Sequence, residues 1–409
     1  MSDTPSLTRR TFVARAAGVV AAASVPIPLT AASWARVPGA NARLRLAVIG
    51  AGGRGRYVMS LFQKQPEVDV VALADPWDRS LQQALERAAG ARTAADYRRV
   101  LDMRDVDAVL VGTPDHWHSR VSVDAMRAGK DVYVEKPMAH SPEEGRQMVR
   151  AVRETKRVLQ VGLQQRSGPH YLQAKREYFD TKRIGKVVHV RTYWHGNAAR
   201  VVRPPFTEQP VGLDWKQWLG PAKARPFDPK YVVNWRSYFD FGGGTLTDLF
   251  THWIDVAHMF VGEDLPGAAT AMGGIFQYAD GRDAPDTVDA LLEYPGGWTA
   301  SFASSLAPGA TGAGVEFFGT EGTLYIDRQK YVFTPPGRDA QPVTVQFPGD
   351  QTEQHVANFV ECVRSRATPT SDVVSGHRST LTTLLAKQAY VEKRRVTLDP
   401  ARERAAAAD

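Results

Sequence analysis

Two sets of residues in this chain have the types and spacing to do chemistry. Asp248, His252 and Asp255 follow one another at i, i+4 and i+7, which on a helix places all three on one face. A carboxylate one turn from an imidazole can fix its tautomer and orientation, as a general base requires; the competing reading is a buried, capped helix with a satisfied histidine. Far upstream, Gly50, Gly52 and Gly55 stand in G-x-G-x-x-G spacing at the end of an apolar run that opens at Leu44. Gly50 allows a tight turn, Gly52 lets the backbone approach a pyrophosphate, and Gly55 lets the next helix pack on the strand with its N-terminus toward the phosphates. Gly53 and Arg54, inside the triplet, fall beside the same pyrophosphate. A second apolar strand, Val68 to Ala74, ends at Asp75, where a carboxylate accepts hydrogen bonds from the ribose hydroxyls of an adenosine. A carboxylate there repels a 2′-phosphate, so NAD is favoured over NADP, although Arg79 could swing over such a phosphate and keeps NADP open.

The elements that must position these groups read as an alternation of strands and helices. Arg79 to Ala89 and Asp96 to Leu101 have helical spacing, and the strand Ala108 to Val111 delivers the loop Gly112 to His118. Loops at the C-terminal ends of strands are where open α/β sheets hold ligands, so Thr113, Pro114, His116 and His118 are expected to line the cofactor. His116 and His118 could form a metal pair, but no further ligand set accompanies them and no metal is expected. Val121 to Ala128 reads as a helix, and the strand Asp131 to Val134 delivers Glu135-Lys136-Pro137. Ser141-Pro142-Glu143-Glu144 caps a helix running to Thr155, and the strand Val158 to Gly162 precedes the polar stretch Gln164-Gln165-Arg166. A helix from Tyr171 to Phe179 and a strand from Lys186 to Trp194 open the second half. Period-two stretches bounded by glycine-rich turns follow from Ala268 to Ile326, as in a mainly antiparallel sheet open on one face. Between them, Trp215, Trp218, Trp235 and Trp253 could stack on sugar rings or simply pack. Glu353 to Arg364 and Ser379 to Lys393 read as helices, and the alanine-rich tail after Pro400 as frayed.

With 409 residues, 43% hydrophobic and 23% charged, the chain is long enough for two globular domains. The net charge of +7 is a mild excess without aromatic-interleaved basic clusters, so no nucleic-acid partner is expected. Cys362 is the only cysteine, which excludes an internal disulfide and a multi-cysteine metal site. Residues 1–35 contain Arg9-Arg10, then an alanine-rich apolar run broken by Pro26 and Pro28, then Ser33-Trp34-Ala35. This resembles a twin-arginine signal peptide rather than a permanent membrane anchor. It implies the Tat translocase as a transient partner and a periplasmic destination for an already folded protein.

The glycine triplet, the TP-x-H loop and the EKP tripeptide, in this order, resemble the Gfo/Idh/MocA family of sugar and cyclitol oxidoreductases. The resemblance implies a Rossmann dinucleotide-binding domain (43–163), an α+β substrate and oligomerisation domain with a large open sheet (164–400) whose C-terminal helices return to the first, and a short tail (401–409). It implies a carbohydrate substrate, hydride transfer, and a homo-oligomer formed through the open sheet. By resemblance Lys136 reaches the reacting carbon's oxygen, aimed by a cis or strained turn at Pro137, and Glu135 and Lys136 also face the cofactor. Asp248 and His252 match a D-x-x-x-H catalytic signature, Gln164 and Arg166 line the nicotinamide, and Trp235, Arg236, His252 and Asp255 face substrate. Phe250, where relatives often carry glycine, bears on the pocket floor. Two other outcomes stay open: transient C3 oxidation that cleaves a glycoside, and a non-catalytic sugar sensor. If exported, the protein is expected to hold its cofactor tightly.

Overall fold

Five short, mostly apolar strands and the polar edge strand β3 form a parallel sheet because a helix joins each strand to the next: β1 (Leu44–Ile49), β2 (Val68–Ala74), β3 (Arg92–Ala94), β4 (Ala108–Val111), β5 (Asp131–Val134) and β6 (Leu159–Val161), in the order β3-β2-β1-β4-β5-β6. The computed structural model describes residues 43–196, 204–262 and 265–407, so the expected signal segment, 1–35, lies outside the described residues. The strand order reverses between β1 and β4, which opens a crevice at their C-terminal ends. Gly50 leaves β1 at φ 89°, and a Cβ there would meet the Thr113 amide nitrogen at 2.5 Å. Gly55 comes closer still to its neighbour, since a Cβ on it would lie 2.0 Å from the Gly50 carbonyl oxygen. The third glycine therefore sets how tightly the helix Gly53–Phe62 seats on β1.

The second sheet contains β7 (Val187–Trp194), β8 (Ala268–Gly274), β9 (Thr287–Tyr294), β10 (Trp298–Ser305), β11 (Ala313–Gly319), β12 (Gly322–Ile326), β13 (Lys330–Thr334), β14 (Val343–Gln346), β15 (Val396–Asp399) and β16 (Arg404–Ala407). Its order is β14-β13-β12-β11-β7-β10-β9-β8-β15-β16. β7 and β10 run parallel and the other neighbours antiparallel. Alternate residues of β9 and β10 are buried, and that face packs on the helix Phe250–Val261, whereas Val188 and Leu291 on the sheet are exposed. The C-terminal helices Gln351–Ser365 and Val373–Glu392 do return to the first sheet. Phe359 sets its ring edge-on to Phe62 and Tyr133, and a Cβ on Gly376 would meet Val161 at 2.4 Å.

Three local expectations are corrected. The loop expected through His118 becomes helix at Asp115, so Asp115–Arg127 is one element, and an acidic residue occupies its first turn, where the helix dipole favours negative charge. The tail expected to fray instead forms β16, paired with β15. β13 and β14 extend the sheet beyond the stretches that alternation revealed.

Gly55→Ala tests the seating of the first helix. The forced contact with the Gly50 carbonyl should cost about 1–3 kcal/mol and lower the midpoint of thermal unfolding; an unchanged midpoint contradicts the close approach.

Candidate active site

A cleft of about 630 Å³ runs from the β1 and β2 ends to the second sheet, a volume typical of cofactor and small-molecule sites. Its nucleotide half begins at the glycine turn. A Cβ on Gly52 or Gly53 would meet nothing within 4 Å, so the backbone here faces open space beside the first turn of Gly53–Phe62, whose Gly52 N-cap supplies no side-chain acceptor. Such a helix end with free N–H groups suits a pyrophosphate. Arg54 and Glu135 line the same wall, with Arg54 Nη2 3.0 Å from Glu135 Oε1. Thr113 Oγ1 and Gln164 Oε1 are buried without hydrogen-bond partners among the described residues, and both residues line the cleft. Pro114, Gly50 and His118 line it as well. Open floor, free donors and unsatisfied polar atoms together fit a dinucleotide.

Asp75 sits at the adenosine end. Its Oδ2 accepts the Ala51 N–H at 2.8 Å and its Oδ1 the Trp77 N–H at 2.9 Å, and with the Ser80 side chain also bonded to this carboxylate a lone pair remains for a ribose hydroxyl. Burial pushes its carboxyl up to about 6, against the lowering effect of those amides. Arg79 lies over the Trp77 ring at 5.6 Å. Above this end, the segment after residue 203 crosses from the second domain: the Asp78 N–H donates to Gly212 O at 2.9 Å, the Asp214 N–H to Pro76 O at 2.8 Å, and Phe206 packs edge-on to Trp77.

At the far end Lys136, which precedes a cis bond to Pro137, donates from Nζ to the Asp248 carbonyl at 2.6 Å and to Asp248 Oδ1 at 2.5 Å. Arg236 Nε lies 3.5 Å from the same carboxylate oxygen, and the guanidinium rests on the Trp235 ring at 4.0 Å. His252 lines the cleft with Lys136, Trp235 and Arg236. Its Nδ1 faces Gln165 Oε1 at 3.2 Å, so an N–H there leaves Nε2 as the free base. Burial, and then the Lys136 and Arg328 charges, push the imidazole well below its usual range, which keeps it neutral.

The expected dyad is therefore rewired. Leu249, itself in helical conformation, joins Gly244–Asp248 to Phe250–Val261, and across this join Asp248 supports Lys136 while Gln165 faces His252. Asp255 is fully buried, not facing substrate: both its oxygens lie 2.9 Å from Arg166 Nε, and Ser379 Oγ donates to Oδ1 at 2.8 Å. This pair moves Arg166 from cofactor contact to a brace beneath the site. His116 also turns away, its ring 5.1 Å from Phe241 and its Nε2 3.3 Å from Trp218 O. His118 sits between the turns that follow β4 and β5, with Nδ1 2.7 Å from Pro137 O and Nε2 2.9 Å from Thr113 O, and the one N–H of its neutral ring can donate to either carbonyl. Phe250 stacks on Phe302 in the core rather than flooring the pocket, and Trp215 and Trp253 are packing residues. Sequence reasoning passed over Gln165, Asp115, Trp194 and Arg328. Gln165 stood in a stretch already singled out; Trp194 and Arg328 arrive from strand ends whose pairing no local pattern reveals.

A model of an oxidoreductase family with an NAD-binding Rossmann fold, GFO/IDH/MocA, matches residues 44–163, and the GFO/IDH/MocA C-terminal domain matches residues 172–325. scyllo-Inositol 2-dehydrogenase (NAD(+)) of Bacillus subtilis is 27% identical over 80% of this chain and 88% of its own length. Levoglucosan dehydrogenase of Pseudarthrobacter phenanthrenivorans is 30% identical over 48% of this chain and 43% of its own. A solved structure of levoglucosan dehydrogenase in complex with NADH and levoglucosan superposes with a TM-score of 0.69 at 20% identity, covering 87% of this chain and 99% of that one, a likeness of fold.

The raised Asp75 carboxyl gives a signed expectation. Ribose hydroxyls donate to the ionised form, so NAD affinity should be flat above about pH 6 and fall up to tenfold per unit below it. Titrations from about pH 5 to 8 should show this slope in the wild type and lose it in Asp75→Asn; an identical slope in the variant contradicts the ribose contact.

Proposed function

The chain belongs to the Gfo/Idh/MocA oxidoreductase family, and from that premise we propose that it oxidises a hydroxyl group of a sugar, glycoside or cyclitol, or reduces the matching carbonyl, with NAD. The observation that carries this reading is that Lys136 and His252 line the same cleft as the dinucleotide cradle. Gly50, Gly52, Gly53, Thr113 and Asp75 would hold the cofactor, whose nicotinamide accepts the hydride from the carbinol carbon. Neutral His252 takes the hydroxyl proton on Nε2, with Gln165 holding its other nitrogen. Lys136 places an ammonium beside the developing alkoxide, a contact that strengthens as charge appears on oxygen. Asp248 keeps Lys136 in place. Trp194 and Trp235 offer ring faces to a sugar.

Export and cofactor retention are part of the proposal. Arg9-Arg10 and the apolar run after them support the twin-arginine route, and a periplasmic enzyme is not resupplied with NAD(H). The hydrogen bonds from Asp78 to Gly212 and from Asp214 to Pro76 support retention, because they fasten the second domain across the adenosine end. Exposed Val188 and Leu291 support pairing of the open sheet with another copy.

One preparation tests the reading. Mature protein purified without added dinucleotide and then denatured should release near-stoichiometric NAD(H), and an empty protein contradicts retention. The native protein should convert a member of a panel of myo-inositol, D-glucose and levoglucosan to a keto product with reduction of its cofactor. Phenol released from aryl glycosides without net reduction would replace this reading with redox-assisted cleavage, and binding without either product would replace it with a sensor.

A further inference from the structure

The first turn of the helix Asp115–Arg127 holds a carboxyl that the mechanism above does not use. Asp115 is 2% exposed and lines the cleft beside Pro114 and Lys136, yet among the described residues its side chain has no hydrogen-bond partner. Buried carboxyls in folded proteins are otherwise bonded, so one left open on a cleft wall is a ligand position. The groups around it come from four elements. Asp248 faces it from the helix Gly244–Asp248, Lys136 from the turn after β5, Arg236 from the short turn Trp235–Ser237, and Lys387 from the C-terminal helix. Burial, and then the Asp248 carboxylate, hold Asp115 well above the usual carboxylate range. A carboxylic acid offers an O–H donor and a carbonyl acceptor side by side, the complement of a hydroxyl group.

Resting on the oxidoreductase reading, we propose that Asp115 is a substrate-binding residue that takes the hydroxyl next to the reacting carbon, so that the site selects vicinal diols. Lys136 and His252 take the oxygen that becomes the carbonyl. Asp115, which lines the same cleft and feels the Lys136 charge, takes the neighbouring one. Simple alcohols, and sugars deoxygenated at the carbon next to the reacting one, lack the group it binds.

The test uses the holoenzyme with myo-inositol, D-glucose and levoglucosan, each beside an analogue deoxygenated next to the reacting carbon. Asp115→Ala should raise KM for the diol about tenfold with a smaller change in kcat, and should leave NAD affinity alone. Asp115→Asn, which keeps a donor and an acceptor, should recover most of the loss, and the deoxy analogues should be insensitive to either change. Sugar binding is read separately from turnover by quenching of tryptophan fluorescence, since Trp194, Trp218 and Trp235 line the cleft. Binding that depends on Asp115 without turnover would remove the oxidoreductase reading and leave this assignment standing. Unchanged diol binding in a folded Asp115→Ala protein, equal losses for diol and deoxy analogue, or a loss confined to NAD would overturn it.

Discussion

Lys136 and Asp248 form the contact on which the site's geometry depends. The two side chains are 9% and 5% exposed and stand 2.5 Å apart. Removing such charges from water costs several kcal/mol per ion, and the cost is offset only when both are well bonded. Here the ammonium takes both the carboxylate and the carbonyl of one residue. Because Lys136 leaves the parallel sheet and Asp248 belongs to the second domain, the pair also fixes the distance between the two walls. A lysine fixed at the meeting point of those walls suits the proposed role beside an oxyanion, because it needs no reorganisation when charge appears there.

The surroundings of this pair divide the remaining work. Burial, and then the cations near it, keep His252 neutral, the Arg166–Asp255–Ser379 cluster braces the helix that carries it, and His118 sits between the turn after β4 and the turn after β5. The tryptophan-rich crossing fixes the nucleotide end by backbone hydrogen bonds and a small aromatic cluster of its own.

What the sequence made legible was local. Glycine spacing, the acidic end of β2 and the capping box Ser141–Glu144 each act within a turn or a strand, and each appears where the residues place it. The EKP turn was legible through family resemblance. The Asp248–His252 partnership was misread because i, i+4 spacing says only that two residues are near one helix face, not that they bond each other, and each finds its partner elsewhere. Asp255 was misread because Phe250–Val261 is buried nearly all round, so no single face of it identifies the cleft. The true partners, Lys136 with Asp248 and His252 with Gln165, lie 112 and 87 positions apart. Spacing carries no information at that range; only the packing of the second domain on the first does.

The most direct measurement is a single-turnover burst of cofactor reduction at 340 nm in holoenzyme carrying Lys136→Met, beside the wild type and with NAD content matched. Losing the buried ammonium should slow the burst on the order of a hundredfold or more while bound NAD stays near stoichiometric. A burst at the wild-type rate with full cofactor would contradict the assignment of Lys136 to the reacting oxygen.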